Sequence, residues 1–336
     1  VVATSDWHGF EARRQASAAR GRLRGRGLSM YLEWTGALLT ETVNIRVEAD
    51  GTVTAYSGTM AMGQGLETSY TQLLAEVLGI PLERIRIVQG DTDVANGVGS
   101  VGSRSAFVGG SAVLAAGRKV VDEGKPLAAD ALEAAPQDIE YSRGRFVVAG
   151  TDRAIGLAEL AAKQPSRELR FSATENPSAP SWPNGAQVIE VEIDPDTGVV
   201  TLDRIASVDD VGRIINRMIV EGQVQGGIAQ GAGQALMEHA LYDAESGQLV
   251  TGSFMDYAMP RADDFPASIT NGFIEDVVCK TNLLGAKGVG ELGTIGAPMA
   301  IVHAVLDALR ERGVKHIEMP VTSEKVWRAL RGTDAT

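Results

Sequence analysis

Glu291 stands alone among glycines in the stretch Ala286-Lys287-Gly288-Val289-Gly290-Glu291-Leu292-Gly293-Thr294, just ahead of a long apolar segment. A carboxylate at the entrance to an apolar helix loses solvation, which raises its proton affinity toward the range a general base needs. Acids also favour the first turn of a helix, so on the residues alone a base and a plain helix cap both stay open. A second stretch, Gly58-Thr59-Met60-Ala61-Met62-Gly63-Gln64-Gly65, lies between a strand pattern and a helix pattern. Its glycines let backbone approach a ligand closely, the free amides of a helix start favour anionic or carbonyl oxygens, and Gln64 can donate and accept at once. It lacks the Lys-Ser/Thr of a P-loop, and a structural turn is the competing reading. The third stretch, Val98-Gly99-Ser100-Val101-Gly102-Ser103-Arg104-Ser105, offers small hydroxyls and one arginine. Those suit a phosphate or a polar heterocycle, or simply an N-cap at Ser103 or Ser105.

The elements that must position these loops follow from periodicity and turn chemistry. Residues 43–58 alternate about Asp50-Gly51 and predict a hairpin. Leu66 to Leu78 has helical spacing and stops at Gly79, and 84–90 predicts a short strand. Helices are expected over 106–122, 127–135 and 157–162, with a hairpin over 139–148 between the last two. Residues 165–185 hold four prolines and few aliphatics, which predicts a linker. A second hairpin is expected over 187–208, a long helix over 216–239, a hairpin turning near Ser246-Gly247, a strand over 272–279 and a final helix over 297–312. Hairpins interleaved with long helices indicate an α+β fold of two similar subdomains, each with a mostly antiparallel sheet. The expected division is a connecting segment over 1–42, a first subdomain over 43–180 and a second over 186–336 that carries Glu291.

Composition narrows the function classes. The 336 residues carry 31 Lys and Arg against 43 Asp and Glu, a net charge of −12 that disfavours nucleic acid and anionic lipid as partners. Six arginines and no acid lie between 13 and 26, which predicts either a solvated helix or a surface for an acidic partner subunit. One cysteine, Cys279, allows neither an internal disulfide nor a cysteine-held iron–sulfur cluster. The four histidines show no metal-binding spacing, so no protein-ligated metal is expected. There is no uninterrupted run of 18 apolar residues and no signal peptide, so no membrane span and a cytoplasmic setting are expected. Two GxGxxG spacings, at Gly97-Gly99-Gly102 and Gly288-Gly290-Gly293, sit several residues past a strand, which argues against a nicotinamide-binding turn.

Six segments in order carry a resemblance: GTMAMGQGLET at 58–68, LGIPLERIRIVQGDTD at 78–93, VGSRSA at 101–106, VDDVGRIIN at 208–216, EGQVQGGIAQG at 221–231 and GAKGVGE at 285–291. Together they resemble the molybdenum-binding subunit of the xanthine oxidase family of molybdenum hydroxylases, in its C-terminal half. The likeness is to the bacterial branch of carbon monoxide dehydrogenase and the aldehyde and N-heterocycle hydroxylases. It covers nearly the whole chain from Arg26-Gly27 onward. The resemblance implies a molybdopterin cofactor, commonly the cytosine dinucleotide in bacteria, whose dithiolene rather than the protein holds molybdenum. It implies that Gly63, Gln64 and Gly65 contact the metal's surroundings or the adjoining cofactor. Gly102, Ser103, Arg104 and Ser105 would hold the pterin or its phosphates, and Asp210, Asn216 and Gln223 would lie along its length. Gln230 would approach the dithiolene or pterin, and Lys287, Gly288, Val289 and Gly290 would wrap the pterin with backbone amides.

Glu291 falls where the family has its catalytic base, taking the proton of the metal-bound hydroxyl as oxygen is inserted at an electrophilic carbon. Two positions depart from the pattern. Arg217 stands where many relatives have proline after the asparagine, and Leu292-Gly293-Thr294 replaces the double proline of the eukaryotic branch. Leu28 to Gly36 is expected near the site, with Glu33 or Trp34 as candidates to touch a small-molecule substrate and Trp34 as core the competing reading. The family's subunits are about twice as long, which implies an upstream half on a longer or second polypeptide. It also implies separate 2Fe-2S and FAD chains and an oligomer. A cofactor-free scaffold keeping the same fold is the alternative. Gln64, Gln230 and Glu291 together argue against it, since a scaffold needs none of the three.

Overall fold

The computed structural model describes residues 1–332; residues 333–336, the end of the expected second subdomain, lie outside the described residues. Helix α1 (Phe10–Ala19) and strand β1 (Leu23–Leu32) come first. Expected as a connecting segment, they are part of the second half of the fold, because β1 pairs antiparallel with residues 184–193 from Leu23↔Ile193 to Leu32↔Asn184. Glycine makes this packing possible. A Cβ on Gly27 would stand 1.8 Å from the Ala300 carbonyl oxygen, and one on Gly25 2.0 Å from that of Ala304, so the strand lies directly under a C-terminal helix.

The arginines that follow Glu11 serve this packing, Arg24 from a buried position and Arg20 and Arg22 from exposed ones. Arg13 pairs with Glu190 and Asp6 at 2.6 Å each, Arg20 with Glu192 at 2.5 Å, and Arg22 with Asp194 at 2.6 Å. Arg24 reaches Glu190 and Asp203, Arg14 bonds Asp307, and the Arg26 guanidinium stacks 3.2 Å from the Trp7 ring centroid. Apart from Asp6, these acids come from one hairpin and one helix far along the chain, which local charge counting does not reveal.

The first half builds a sheet in the order β4-β3-β2-β8. Strand β2 (Glu41–Glu48) buries every second residue, and β3 (Val53–Ser57) returns beside it after Asp50-Gly51, where Gly51 takes φ +90°. Helix α2 (Leu66–Leu78) ends on Gly79 at φ +62° and leads to β4 (Ile85–Gln89), parallel to β3. A π-helical turn over Ser105–Gly109 runs straight into α3 (Gly110–Leu132). The two helices expected over 106–122 and 127–135 are therefore one. Pro126 sits inside it and does not break it, because both flanking stretches pack on the same core. Strands β5 (Ile139–Ser142), β6 (Arg145–Val148) and β7 (Ala154–Gly156) form a small sheet, followed by α4 (Leu157–Lys163). The expected linker contains a strand, β8 (Glu168–Glu175), which buries Leu169, Phe171 and Ala173 and pairs with β2.

The second half has the sheet order β1-β9-β10-β11. Strands β9 (Asn184–Ile193) and β10 (Val200–Asp210) form the expected hairpin, and β11 (Thr270–Ile274) adds parallel to β10. Near Ser246-Gly247 a single bridge, Tyr242 to Leu249, replaces the expected hairpin. Helices α5 (Arg217–Leu236) and α6 (Leu292–Leu309) pack on this sheet, and α7 (Ser323–Leu330) closes it. Within Leu292–Arg312 an 18-residue window has a mean hydropathy of 1.6, long and apolar enough by itself to cross a membrane. Here that hydropathy is spent on packing, since Ala297, Ala300, Ile301, Ala304 and Val305 lie buried against β1, β9 and α5. The helix still contains no uninterrupted run of 18 apolar residues, because His303 and Asp307 interrupt it; it is apolar only in its mean.

Candidate active site

All three glycine-rich loops meet at one cavity of about 370 Å³, lined by both halves. Gln64, Ser100, Gly102, Ser103 and Ser105 come from the first half, and Asn216, Gln223, Lys287, Val289, Gly290 and Glu291 from the second. The glycines of the 285–293 loop are there for close approach. A Cβ on Gly288 would lie 2.6 Å from the Ser103 carbonyl oxygen, and one on Gly293 2.3 Å from that of Val224. The first contact seats the loop on the 101–105 turn, and the second seats the start of α6 on α5.

Glu291 occupies the N-cap position of α6, but its side chain makes no capping hydrogen bond. Instead Oε2 accepts from Ser103 Oγ at 2.7 Å, and the Glu291 amide donates back to Ser103 Oγ at 3.1 Å. Ser103 reaches this place because it and Gly102 both take left-handed backbone, φ +53° and +56°. For serine that geometry costs on the order of 1 kcal/mol, which the surrounding contacts must offset. The same hydroxyl lies 3.1 Å from Oε1 of Glu33, just past the end of β1. Glu33 is only 6% exposed, and burial, opposed by the Ser103 bond and reinforced by the Glu291 charge, pushes its carboxyl up to about 7.

The other expected site residues divide by what they touch. Gln64 folds onto its own loop, accepting from the Met62 amide at 2.7 Å and donating to the Met60 carbonyl at 2.8 Å. Gly63 and Gly65 flank it at φ +95° and +75°; a Cβ on Gly63 would meet no protein atom within 4 Å, whereas one on Gly65 would strike Ile219. Asn216 caps α5 through the Ile219 amide at 3.1 Å, and its Nδ2 donates to Gln72 at 3.0 Å. Lys287 is tied to Asp210 at 2.7 Å with both side chains nearly buried, so its backbone is what it offers the cavity. Gly288 donates its amide to Ser181 Oγ at 3.1 Å.

Six expected residues do not line the cavity: Gly63, Gly65 and Gly288, which shape the loops beside it, and Asp210, Gln230 and Arg104. Asp210 is engaged as just described, and Gln230 is exposed two turns beyond Gln223 on α5. Arg104 is fully buried: it donates to the carbonyls of Leu38, Thr40 and Gly99 at 2.7 to 2.9 Å and lies 2.9 Å from Glu41. With its guanidinium so committed, Arg104 anchors the 99–104 turn to the chain entering β2. Sequence reasoning passed over Ser100, which ties the first two loops together: its Oγ donates to the Met60 carbonyl at 2.7 Å and accepts from Ser105 Oγ at 2.8 Å. It also passed over the link from Glu33 to Glu291. The available signal was an acid interrupting an alternating strand, in Tyr31-Leu32-Glu33-Trp34.

The cavity combines hydroxyls, amides, closely packed glycine backbone and one carboxylate held from behind. Set between apolar walls from Leu66, Ile215, Ile219 and Val220, that donor set fits a polar ring system. The sequence profile of the molybdopterin cofactor-binding domain matches residues 1–266, and the chain belongs to that family, the molybdenum-binding subunits of the xanthine oxidase group. It is 39% identical to the 6-hydroxypseudooxynicotine dehydrogenase complex subunit gamma of Paenarthrobacter nicotinovorans, over 94% of this chain and 40% of that protein. It is 34% identical to the carbon monoxide dehydrogenase large chain of Hydrogenophaga pseudoflava, over 97% of this chain and 43% of that one. The solved structure of quinoline 2-oxidoreductase from Pseudomonas putida 86 superposes with a TM-score of 0.87 at 34% identity, covering 99% of this chain and 45% of its own. The chain thus spans less than half the length of these relatives.

Proposed function

We propose that this chain forms the C-terminal, base-bearing part of a molybdenum hydroxylase. In that reading Glu291 accepts the proton released as a water-derived oxygen is inserted at an electrophilic carbon of an aldehyde, an N-heterocycle or carbon monoxide. The observation that carries it is the placement of Glu291 on the shared cavity, with Oε2 held by Ser103 and no capping role of its own. A carboxylate fixed through one oxygen leaves the other to take a proton, and the Ser103 bond keeps it from rotating away. When bound, the molybdenum–pterin group, in its cytosine dinucleotide form, supplies the oxygen transfer and the two-electron chemistry.

The residues that would hold the pterin are Ser103 and Ser105 through hydroxyls, Gln64, Asn216 and Gln223 through amides, and 287–290 through backbone. Gly63 and Gly99 leave open space where any larger residue would place a Cβ. Further polypeptide would complete the site: the upstream half of the subunit, with iron–sulfur and flavin chains to carry electrons away. Supporting that, Met30, Phe254 and Met255 are 80%, 86% and 93% exposed, an unusual position for large apolar side chains. A cytoplasmic setting belongs to the same proposal.

Glu291→Gln in the complete enzyme tests it. The amide keeps the shape and loses the base, so turnover should fall roughly 10²–10⁴-fold with cofactor content unchanged. Near-normal turnover would sink the assignment.

A further inference from the structure

We infer that Glu33 is a positioning residue for Glu291: through the Ser103 hydroxyl the two carboxyls hold one proton between them, and Glu33 carries it. The inference rests on Glu291 acting as the base. Its foundation is a count of hydrogens. A serine hydroxyl has one proton to give and two lone pairs to receive with. Ser103 Oγ has three polar neighbours: the Glu291 amide at 3.1 Å, Glu291 Oε2 at 2.7 Å and Glu33 Oε1 at 3.1 Å. The amide can only donate. Of the two carboxyls, one therefore receives the serine proton and the other must bring its own.

Geometry and burial decide which. The 2.7 Å contact to Glu291 has the usual length of an O–H···O bond, and Glu291 lies exposed on the cavity. Glu33 is buried, held at its amide by the Pro183 carbonyl at 2.9 Å, and its Oε2 has no hydrogen-bond partner. An ionised carboxylate with a buried orphan oxygen is costly, whereas a neutral acid leaves only a carbonyl-like oxygen unpaired. Among the described residues, Glu291 is the one charge acting on Glu33, and it repels an anion. The cation of the facing loop, Lys287, is taken by Asp210, and Arg104, next to Ser103, is taken by three carbonyls and Glu41. Among the described residues, no neighbouring cation compensates a second negative charge.

The pair therefore carries a single charge, on Glu291, with Ser103 locked toward Oε2 and Oε1 left for the cavity. When Glu33 loses its proton, Ser103 has two anions to serve and Glu291 loses its fixed orientation. Burial places that loss near neutral pH.

The test uses the complete enzyme with glutamate isotopically labelled for infrared spectroscopy, read without turnover. Wild type should show a protonated-carboxyl band that titrates near neutrality and is missing in Glu33→Gln. In Glu291→Gln that band should titrate at lower pH, because the neighbouring charge is gone. Turnover should fall on the alkaline side as this one group titrates, levelling at a loss similar to that of removing the donor. Glu33→Ala, which removes the donor to Ser103, should lose roughly tenfold or more. Glu33→Gln restores a donor and should recover most of that, with the alkaline fall gone. No protonated band in wild type at pH 6, or its persistence in Glu33→Gln, would overturn the inference, as would an alkaline fall that survives Glu33→Gln. Full activity of Glu291→Gln would instead refute the base reading alone, and the band and its shift would still decide the shared proton. If the alanine variant does not fold, the glutamine variant and the wild-type titration settle the matter.

Discussion

Replacing Gly288 with alanine probes whether the glycine-rich loop is built for contact with the 101–105 turn. The added Cβ would stand 2.6 Å from the Ser103 carbonyl oxygen and 2.8 Å from both Cβ and Cγ2 of Thr35. Ordinary contact begins near 3.4 Å, so the loop must move by about 0.8 Å. Thr35 cannot easily yield, because its hydroxyl is bonded to Ser181 Oγ at 2.5 Å and lies 3.1 Å from the Ser181 carbonyl. Nor can Ser103, whose left-handed backbone is already strained. Overpacking of this kind costs roughly 1–3 kcal/mol. Because Ser103 holds Glu291, most of the displacement reaches the carboxylate, and an error approaching 1 Å costs on the order of 10²-fold in rate. Urea unfolding of the chain and steady-state turnover of the complete enzyme read the two effects. Gly222→Ala is the control. Its Cβ would meet nothing within 4 Å, and within helix α5 alanine should stabilise by up to about 1 kcal/mol. If Gly288→Ala matched wild type in both measurements, the packing argument for the loop would fail.

Other consequences are as direct. Arg104→Met should destabilise the chain by about 3–5 kcal/mol in denaturant, since it strands the buried Glu41 carboxylate and three carbonyls. Glu33 binds its proton more tightly folded, near pH 7, than at its ordinary value of 4.5. The native state then holds the extra proton between those values, so its contribution to stability falls as pH rises from about 4.5 to about 7. The fall is on the order of 3 kcal/mol as an upper bound, and unfolding of Glu33→Gln across that range should lack it. Asp210→Asn leaves Lys287 charged and poorly paired at 8% exposure, and should raise protease cleavage within 285–291 before the core unfolds.

Much of the first half was legible because its signals are local. Asp50-Gly51, the spacing from Leu66 to Leu78 and the stop at Gly79 each lie within a few residues of what they determine, and the elements formed there. The α+β class and the three chemistry-bearing loops were legible for the same reason. What escaped was set at long range. Nothing near residue 23 states that its partner is Ile193, and the arginines of α1 and β1 could be counted but not matched to their acids. The split between 122 and 127 was wrong, since burial on both sides carries the helix through Pro126. Glu33 was singled out for its place near the site, but its tie to Glu291 depends on a serine seventy residues away adopting an unusual backbone.

Strand β1 has a temporal meaning as well as a spatial one. The segment from β2 to β8 is contiguous and supplies every buried residue of its core except Leu284 and Ala286, so it can begin to collapse as soon as it leaves the ribosome. Residues 1–32 cannot, because their sheet partner is made more than a hundred residues later and the helix above them later still. Until then an alternating strand with Met30 and Leu32 on its flank waits unpaired. The arginines around it would keep that waiting strand soluble and self-repelling before they find their acids. Cutting the gene at the boundary between the halves would thus yield one domain and one sheet missing its outer strand.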